Sequence, residues 1–286
     1  MPARLIAVVV CVLLAGAAAA IALTRGGGGS SSGLQGASRA GAIVWAVGDG
    51  GNGSAEARRL ADLIAGDRPR RVLYLGDVYE HGTAADFRDR FATVYRGLAG
   101  RMDPTPGNHD WGNHRVGYDP YWRKVKGRPV PPRYAFSIGG WRVISLNSQT
   151  PRDRGQLAFL RRELARVNGG CTLAFMHRPR FNAGLHQDQE RDVDPLWRLL
   201  RGKAAILLSG HDHDLQRFKP VGGTVQYVIG AGGRERYQVH GGDRRLAFSD
   251  DRTDGALRMR LSPGVARLSI VAANGGVLDR STVHCR

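Results

Sequence analysis

The chain has 286 residues and carries 42 Lys and Arg against 25 Asp and Glu, a formal net charge of +17 at pH 7. Because the basic residues are scattered instead of forming long runs, small anionic ligands are the favoured inference and nucleic acid stays an alternative partner. None of the three cysteines lies in a Cys-x-x-Cys pair, which excludes a cysteine-rich zinc module.

The first 39 residues differ in composition from the rest. Leu5–Leu23 is an apolar stretch that fits either a secretory signal, with Ala17–Ala20 as its cleavage region, or a membrane-spanning anchor. We therefore expect residues 1–25 to be a signal peptide or N-terminal membrane anchor, 26–39 a Gly/Ser-rich tether, and 40–286 one folded domain. Either leader predicts an extracytoplasmic protein, secreted or held at a membrane by its N-terminus.

From Ile43 onward, short apolar runs alternate with amphipathic segments, as in βαβ units. The first half is predicted to contain a strand over Ile43–Val47, a helix over Ser54–Ala65, a strand over Arg71–Leu75, a helix over Ala84–Leu98, an aromatic loop with one short helix, and a hairpin over Tyr134–Ile138 and Trp141–Leu146. The second half is predicted to contain a helix over Arg154–Val167, a strand over Thr172–Met176, a helix near Val193–Leu200, a strand over Ala204–Leu208, and strands over Leu257–Leu261, Ala266–Ala272 and Val277–Val283. The expected fold class is α/β (α+β) with mixed sheets.

Two cysteines, Cys171 and Cys285, belong to the predicted folded domain, whereas Cys11 lies in the apolar leader. In an exported domain such a pair is more often a disulfide than a metal site. We therefore expect a Cys171–Cys285 bridge that links the C-terminal tail to the strand preceding His177.

Five polar clusters follow strand-like segments and carry the functional signal. In open α/β sheets, ligands gather at the carboxyl ends of strands, so these clusters are expected to meet at one edge. They supply carboxylate, amide and imidazole groups, which suit Zn, Mn or Fe. In chain order the clusters are Gly48-Asp49-Gly50, Gly76-Asp77-Val78-Tyr79, Gly107-Asn108-His109-Asp110, Met176-His177 and Gly210-His211-Asp212-His213.

Each cluster also has a simpler interpretation when it is taken alone. Asp49 could cap the following helix, Asp77 could be a turn residue, and His177 could be an ordinary loop histidine. Two histidines two residues apart after a strand, at 211 and 213, are less easily explained as structural. The set as a whole therefore favours a two-metal hydrolytic site.

The order of the clusters resembles the calcineurin-like metallophosphoesterase superfamily over roughly Ile43–His213, and Asp49-Gly50-Gly51 resembles the first motif of its purple acid phosphatase branch. The resemblance implies a four-layer αββα sandwich with helices outside and two metal ions, Fe, Mn or Zn. It assigns one metal to Asp49, Asp77, Tyr79 and His213, and the other to Asp77, Asn108, His177 and His211. It makes His109 the proton donor and suggests His186 and Arg178 as substrate-binding residues.

One position departs from the purple branch, whose second motif has two residues between its aspartate and its tyrosine. Here Tyr79 follows Asp77 after a single residue, and Glu80 stands at the family spacing. Tyr79, Glu80 or water could therefore complete the first metal. A second Asn-His pair, at 113 and 114, leaves His114 as a candidate pocket wall.

We expect an enzyme, a metallophosphoesterase that hydrolyses small phosphate monoesters by metal-bound hydroxide. A phosphodiesterase or nuclease would use the same residues. A non-catalytic phosphate-binding module and a metal-free scaffold are the alternatives of another class. No protein partner is predicted.

Overall fold

Two mixed β-sheets with helices packed on them form the fold, which the computed structural model describes over residues 41–167, 170–186 and 191–285. The helices are α1 (Ala55–Gly66), α2 (Ala84–Asp86), α3 (Ala92–Tyr95), α4 (Asn108–Trp111), α5 (Tyr118–Lys126), α6 (Arg154–Val167) and α7 (Asp194–Leu200). A π-helical turn covers Phe87–Phe91, and 3-10 turns cover Ala99–Arg101 and Arg191–Val193. The strands are β1 (Ala42–Val47), β2 (Arg71–Tyr74), β3 (Met102–Pro104), β4 (Tyr134–Ile138), β5 (Trp141–Ser145), β6 (Thr172–Phe175), β7 (Ile206–Ser209), β8 (Leu215–Phe218), β9 (Val225–Ile229), β10 (Leu246–Asp250), β11 (Gly255–Ser262), β12 (Val265–Ala272) and β13 (Val277–His284).

The strand order places the parallel strands of each sheet side by side. The first sheet has the order β13-β12-β11-β1-β2-β3, and the second has the order β10-β8-β9-β7-β6-β5-β4. Strands β1, β2 and β3 are parallel to one another, and so are β5, β6, β7 and β9. The loops that follow the parallel strands of one sheet therefore leave it at the same edge.

Alternation along β1 shows how the layers are arranged. Val44 and Ala46 belong to the core between the two sheets, whereas Trp45 and Val47 belong to the core shared with α1 and the helices around α5. A third core lies beneath α6 and α7, on the outer face of the second sheet. Because successive strand residues point to opposite faces, the central strands of both sheets are buried on both sides, and the expected four-layer αββα sandwich is confirmed.

Helix α1 illustrates how local sequence sets an element. The Ser54 hydroxyl accepts a hydrogen bond from the backbone N–H of Ala57 at 3.0 Å and caps the first turn. The buried residues of α1 are Ala57, Leu60, Ala61 and Ile64, whose spacing of three and four forms one apolar stripe. This stripe packs on the first sheet and holds α1 behind the loop that carries Asp49.

Several predicted elements differ from the observed ones. The helix predicted over Ala84–Leu98 is interrupted by the π-helical turn, in which the Ala92 N–H donates to the carbonyl of Phe87. Phe87 and Phe91 are both buried among aromatic rings, so tertiary packing decides the local geometry there. No bounds were predicted for β3, β8, β9 or β10, and the short segments of β8 and β10 have a weak apolar pattern.

The predicted disulfide is confirmed between Cys171 and Cys285, whose Cα atoms lie 5.0 Å apart. Cys171 precedes β6 of the second sheet and Cys285 follows β13 of the first sheet, so the bond joins the two sheets. In the part of the chain that the structure describes, none of the helices has the length and apolar character of a membrane span. The predicted leader at Leu5–Leu23 and the tether at 26–39 lie outside those ranges.

Candidate metal centre

Five loops deliver the predicted ligands to one edge of the sandwich. Loops after strands of the first sheet carry Asp49, Asp77, Tyr79 and Asn108, and loops after β6 and β7 of the second sheet carry His177, His211 and His213. All seven side chains are connected by the contacts described below. The structure thus brings together residues that are up to 164 positions apart in the sequence. This agrees with the prediction that the polar clusters after the strands meet at one edge.

One group of three ligand atoms consists of Asn108 Oδ1, His177 Nε2 and His211 Nδ1. Asn108 Oδ1 lies 2.9 Å from His177 Nε2 and 3.0 Å from His211 Nδ1, and the two ring nitrogens are 3.2 Å apart. The opposite ring nitrogen of His177, Nδ1, is 2.8 Å from the carbonyl oxygen of Leu75. When Nδ1 donates its hydrogen to that carbonyl, the lone pair of Nε2 faces the other two atoms.

A second group consists of Tyr79 Oη, Asp49 Oδ1 and His213 Nε2. The phenol oxygen lies 2.9 Å from Asp49 Oδ1 and 2.8 Å from His213 Nε2, and the last two atoms are 3.8 Å apart. His213 Nδ1 lies 2.9 Å from the Glu235 carbonyl oxygen, so this imidazole is oriented in the same manner as that of His177. Tyr79 therefore reaches the site in spite of its short spacing from Asp77.

The Asp77 carboxylate connects the two groups. Its Oδ2 atom is 3.3 Å from His177 Nε2, and one oxygen each of Asp49 and Asp77 and one nitrogen of His177 lie within 4.8 Å of one another. Asp49 and Asp77 are 0% and 2% exposed. Two buried carboxylates this close repel each other, and a cation between them would offset both that repulsion and their desolvation.

The ionisation of these groups follows from burial and from their charged neighbours. Burial raises the pKa of Asp49 well above its ordinary value, whereas His177 holds the pKa of Asp77 below its ordinary value against the effect of burial. Burial acts to lower the pKa of His177, but the Asp77 and Asp49 carboxylates outweigh it and raise the pKa to about 9. Burial lowers the pKa of His213 to about 3, which keeps this imidazole neutral and able to bind a metal.

The two groups of atoms fit metal ions. A tetrahedral or octahedral metal with bonds of about 2.0–2.1 Å holds neighbouring ligand atoms about 2.8–3.4 Å apart. The closest separations within each group, 2.8–3.2 Å, lie in that range. Oxygen and imidazole ligands without thiolate suit Fe, Mn or Zn, the metals expected from the sequence.

Glycines allow the backbone to approach the carboxylates closely. A Cβ atom at Gly107 would stand 1.9 Å from Asp77 Oδ1, and a Cβ atom at Gly210 would stand 2.4 Å from Asp49 Oδ2. Any larger residue at either position would displace a ligand carboxylate. These two glycines are therefore part of the site's construction.

Asp110 is a functional residue that the sequence analysis did not assign. Its carboxylate accepts hydrogen bonds from the backbone N–H groups of Asp77, Val78 and Gly107 at 2.8–3.0 Å. Asp110 is 1% exposed and fixes the second and third ligand loops to each other. The available signal was its position directly after Asn108-His109, but an acidic residue there is also typical of a helix start.

His109 lies at the edge of the centre. Its backbone N–H donates to Asp77 Oδ1 at 3.0 Å, and its Nε2 atom is 3.9 Å from Asp77 Oδ2. Its Nδ1 atom lies within hydrogen-bond distance of the Glu80 carbonyl oxygen, which fixes the ring orientation. The side chain remains 34% exposed, so Nε2 can reach a molecule that enters from solvent.

The two predicted substrate-binding residues have different surroundings. The His186 ring stacks on the His211 ring with centroids 4.4 Å apart, and its Nδ1 atom hydrogen-bonds to the buried Asp212 carboxylate. Arg178 instead directs its guanidinium to Asp192, at 2.7 and 3.1 Å, and to the Ser148 carbonyl. The structure thus places His186 against a metal-ligand candidate, and the substrate role of Arg178 stays a prediction.

Glu80 does not join the ligand atoms. Its carboxylate forms ion pairs with Arg234 at 2.7 Å and Arg90 at 3.2 Å. The Arg234 guanidinium lies over the Tyr79 ring, 4.6 Å from its centroid, and the Tyr237 ring stacks on His213 at 4.1 Å. These two aromatic contacts were not predicted, because they depend on how the loop after β9 folds back.

Comparisons with known proteins agree with the fold and identify the family. The sequence profile of the calcineurin-like phosphoesterases matches residues 43–215. Among curated proteins, none matches the chain at a significant level. Similar solved structures include GAP50, the anchor in the inner membrane complex of Plasmodium, with a TM-score of 0.72 and 14% identity over 87% of this chain and 90% of that one.

Two phosphatase structures share the fold. A purple acid phosphatase from yellow lupin seeds has a TM-score of 0.72 and 16% identity, covering 85% of this chain and 53% of the lupin chain. A dimetal phosphatase from Danio rerio has a TM-score of 0.61 and 14% identity, covering 85% of this chain and 99% of that one. At such identities the likeness concerns the fold alone, but the profile match extends over more than half of the sequence. The chain therefore belongs to the calcineurin-like phosphoesterase family, the metal-dependent phosphoric ester hydrolases.

Proposed function

We propose that this protein hydrolyses small phosphate monoesters outside the cytoplasm at a centre of two metal ions. The observation that supports this most directly is the pair of three-atom groups joined by Asp77. One group, around Asn108 Oδ1, has separations of 2.9–3.2 Å, and the other is centred on the Tyr79 phenol. A module that only binds phosphate has no need for two such groups and an adjacent acid.

The protein's own residues would hold the metals and orient the ester. Asp49, Tyr79 and His213 would bind one ion, Asn108, His177 and His211 would bind the other, and Asp77 would bridge them. When bound there, two metal ions supply Lewis-acid polarisation of the phosphoryl oxygen and activation of a water molecule. Asp110 keeps Asp77 and the Asn108 loop in register, so that the ester meets a preorganised site.

His109 would act as the general acid. With Nδ1 held at the Glu80 carbonyl, a protonated ring presents Nε2–H toward the open side of the centre. Proton transfer from Nε2 to the leaving oxygen would let the alcohol depart as a neutral molecule. His186, whose ring stacks on that of His211, would donate a hydrogen bond to a phosphoryl oxygen.

The extracytoplasmic location rests on the apolar leader at Leu5–Leu23 and on the disulfide. Disulfides persist in oxidising compartments and are rare in the cytosol of mesophiles, so the Cys171–Cys285 bond supports export. A leader that is not cleaved would anchor the protein in a membrane by its N-terminus. Immunodetection of the full chain in membrane, periplasmic or secreted, and cytosolic fractions tests this location.

The activity is tested with full-length protein, metal analysis and two chromogenic substrates, 4-nitrophenyl phosphate and bis(4-nitrophenyl) phosphate. We expect about two metal ions per chain and faster turnover of the monoester. Asp77→Ala should lose metal and reduce the rate by about 10³-fold or more, because the bridging ligand is gone. His109→Ala should retain metal and lose about 10²–10⁴-fold in rate.

The matched control is His284→Ala, which removes an exposed histidine on the edge strand β13. It should leave metal content and rate unchanged. Full activity in Asp77→Ala would overturn the assignment. Faster turnover of the diester would favour a phosphodiesterase or nuclease, and two bound metals without turnover of either substrate would favour a phosphate-binding module.

A further inference from the structure

A group of cations lies at the end of the sandwich opposite the metal centre, and the proposed reaction does not use it. We call this group the basic pole; it consists of Arg68, Arg70, Arg71, Arg101, Lys126 and Arg128. Strand β1 begins at Ala42 beside this pole and ends just before Asp49. Residues 42–48 are extended and span about 23 Å. The pole and the metal centre are therefore separated by about this distance.

Backbone pairing and two cavities bring these cations together. The N–H of Arg70 donates to the carbonyl of Ile43 at 2.9 Å, and Arg68 and Arg70 line a cavity of about 370 Å³ with Gly41. Arg71, Lys126 and Arg128 line a neighbouring cavity of about 230 Å³. Arg70 lines the first cavity and Arg71, the next residue in the chain, lines the second, so the two cavities lie at the same end of the first sheet.

Arg101 is tied to the same surface through its neighbour. Lys126 Nζ donates to the carbonyl of Gly100 at 3.1 Å, which brings the turn before β3 against the end of α5. Arg101 itself is exposed. The pole therefore extends across three separate loops of the fold.

Positive charge at the pole is only partly balanced. The acids of the same loops, Asp67 and Asp103, are paired with Arg258 at 2.8 Å and Arg71 at 3.3 Å. Across residues 41–167, 170–186 and 191–285, Arg68, Arg70, Arg101 and Arg128 form no ion pair, and all four are exposed. Their charge is therefore available to an anionic partner.

The surroundings of Lys126 reflect this excess of cations. Burial lowers the pKa of Lys126, and although Asp103 opposes the change, Arg71 and Arg128 add to it. Cations at the pole therefore repel one another within the protein. An anionic surface placed against the pole would relieve that repulsion.

The same end of the sandwich is where the N-terminal segment joins the fold. The described chain begins at Gly41, whose neighbours include Arg260 and Leu261 at the end of β11. The sequence before it contains the apolar stretch Leu5–Leu23, and residues 24–40 join that stretch to Gly41. These seventeen residues extend at most about 60 Å, so the pole can reach the surface of a membrane that holds the leader.

We propose that the basic pole docks on the anionic lipid headgroups of the membrane that holds Leu5–Leu23, with the metal centre directed away from the bilayer. Arginines close to an anionic bilayer are attracted over about one Debye length, and the leader keeps the pole close to the surface. The proposal rests on the anchor interpretation of the leader and does not depend on the hydrolytic activity. It gives the enzyme a fixed orientation in which substrates reach the metals from the solution side.

The orientation is tested with the full chain in vesicles of phosphatidylcholine, with and without about 30 mol % phosphatidylglycerol. A fluorescent donor is attached to a cysteine introduced by Ser137→Cys, near the basic pole, or by Val277→Cys, near the opposite end. Both variants also carry Cys11→Ser, which removes the cysteine of the leader. The acceptor is a headgroup-labelled lipid. Both positions are exposed. In anionic vesicles, energy transfer from position 137 should be at least about twice that from position 277, and about 1 M NaCl should abolish the difference.

Charge reversal at the pole supplies the second arm. The variant with Arg68→Glu, Arg70→Glu and Arg128→Glu should make transfer from the two positions equal in anionic vesicles. The control reverses three exposed arginines elsewhere, Arg88→Glu, Arg198→Glu and Arg252→Glu, whose side chains are 71%, 78% and 93% exposed. The control should keep the difference, and both variants should hydrolyse substrate at the wild-type rate.

Four results would overturn the proposal. The first is recovery of the full chain unbound after flotation with neutral vesicles, which would remove the anchor. The second is equal transfer from the two positions in anionic vesicles, and the third is a pole variant that behaves like its control. Salt-sensitive binding of duplex DNA that only the pole variant loses, without any effect in vesicles, would assign the pole to nucleic acid instead. None of these outcomes depends on the rate of hydrolysis.

Discussion

Replacing Gly107 with alanine should disable the metal centre without unfolding the protein. The backbone at Gly107 has φ −96° and ψ −177°, an extended conformation that alanine adopts without strain. The added Cβ atom would stand 1.9 Å from Asp77 Oδ1 and 2.6 Å from the Asp77 backbone nitrogen. Restoring an ordinary contact of about 3.4 Å requires the carboxylate to move by about 1.5 Å.

That movement is large compared with what catalysis tolerates. Asp77 Oδ1 also accepts the His109 N–H at 3.0 Å, and the Asp77 N–H is held by Asp110, so the whole ligand loop cannot shift as a unit. A misplacement of about 1 Å can reduce a rate by about 10²-fold. We therefore expect Gly107→Ala to lose at least one metal ion per chain and at least about 10²-fold in rate.

Three measurements on the full chain check this expectation: metal content by mass spectrometry, turnover of 4-nitrophenyl phosphate, and thermal unfolding after metal removal. The matched control is Gly112→Ala, since a Cβ atom there would meet no other atom within 4 Å and the backbone is helical. The control should retain metal and rate. If Gly107→Ala binds two metals and turns over at the wild-type rate, the inferred position of Asp77 is wrong.

Two further predictions concern the phenol and the disulfide. Tyr79→Phe removes the oxygen that contacts Asp49 Oδ1 and His213 Nε2, so metal content should fall and any visible phenolate band of iron-loaded protein should vanish. Glu80→Gln should keep the metal content and the band. Loss of metal in Glu80→Gln but not in Tyr79→Phe would make Glu80 the ligand. Replacing Cys285 with serine opens a link across 114 residues and should lower the free energy of unfolding by about 2–5 kcal/mol in a urea titration. Metal content of that variant should stay unchanged, and an unaltered urea midpoint would show that the bond contributes no stability.

The meeting of the five polar clusters at one edge could be predicted from the sequence because each cluster follows a strand, whereas the assignment of individual ligands rests on the family resemblance. Asp49 and His211 stand two residues after the strands β1 and β7, whose ends lie at one edge of their sheets. Burial of both sheet faces makes those runs continuously apolar and easy to recognise. The position of the centre is therefore encoded by local pattern.

Other features depend on contacts that no local pattern encodes. The side-chain amide of Gln216 hydrogen-bonds to Asp214 and Asn182, so this polar residue can be buried in β8. A polar residue within a four-residue strand weakens the apolar pattern by which the strand would be recognised in the sequence. The direction of the Tyr79 side chain is set by the fold of its short loop and by Arg234, which is 155 residues away in sequence. Spacing alone could not decide between Tyr79 and Glu80 for that reason.

The division of ligands between the two sheets has a consequence for folding. Asp49 and Asp77 come from the first sheet and His177 and His211 from the second, so a half-assembled sandwich has no complete site. Metal uptake is therefore a measure of native docking, and bound metal shifts the equilibrium toward the assembled sandwich. The sheets are fastened at both ends, by shared ligands at one and by the Cys171–Cys285 bond at the other.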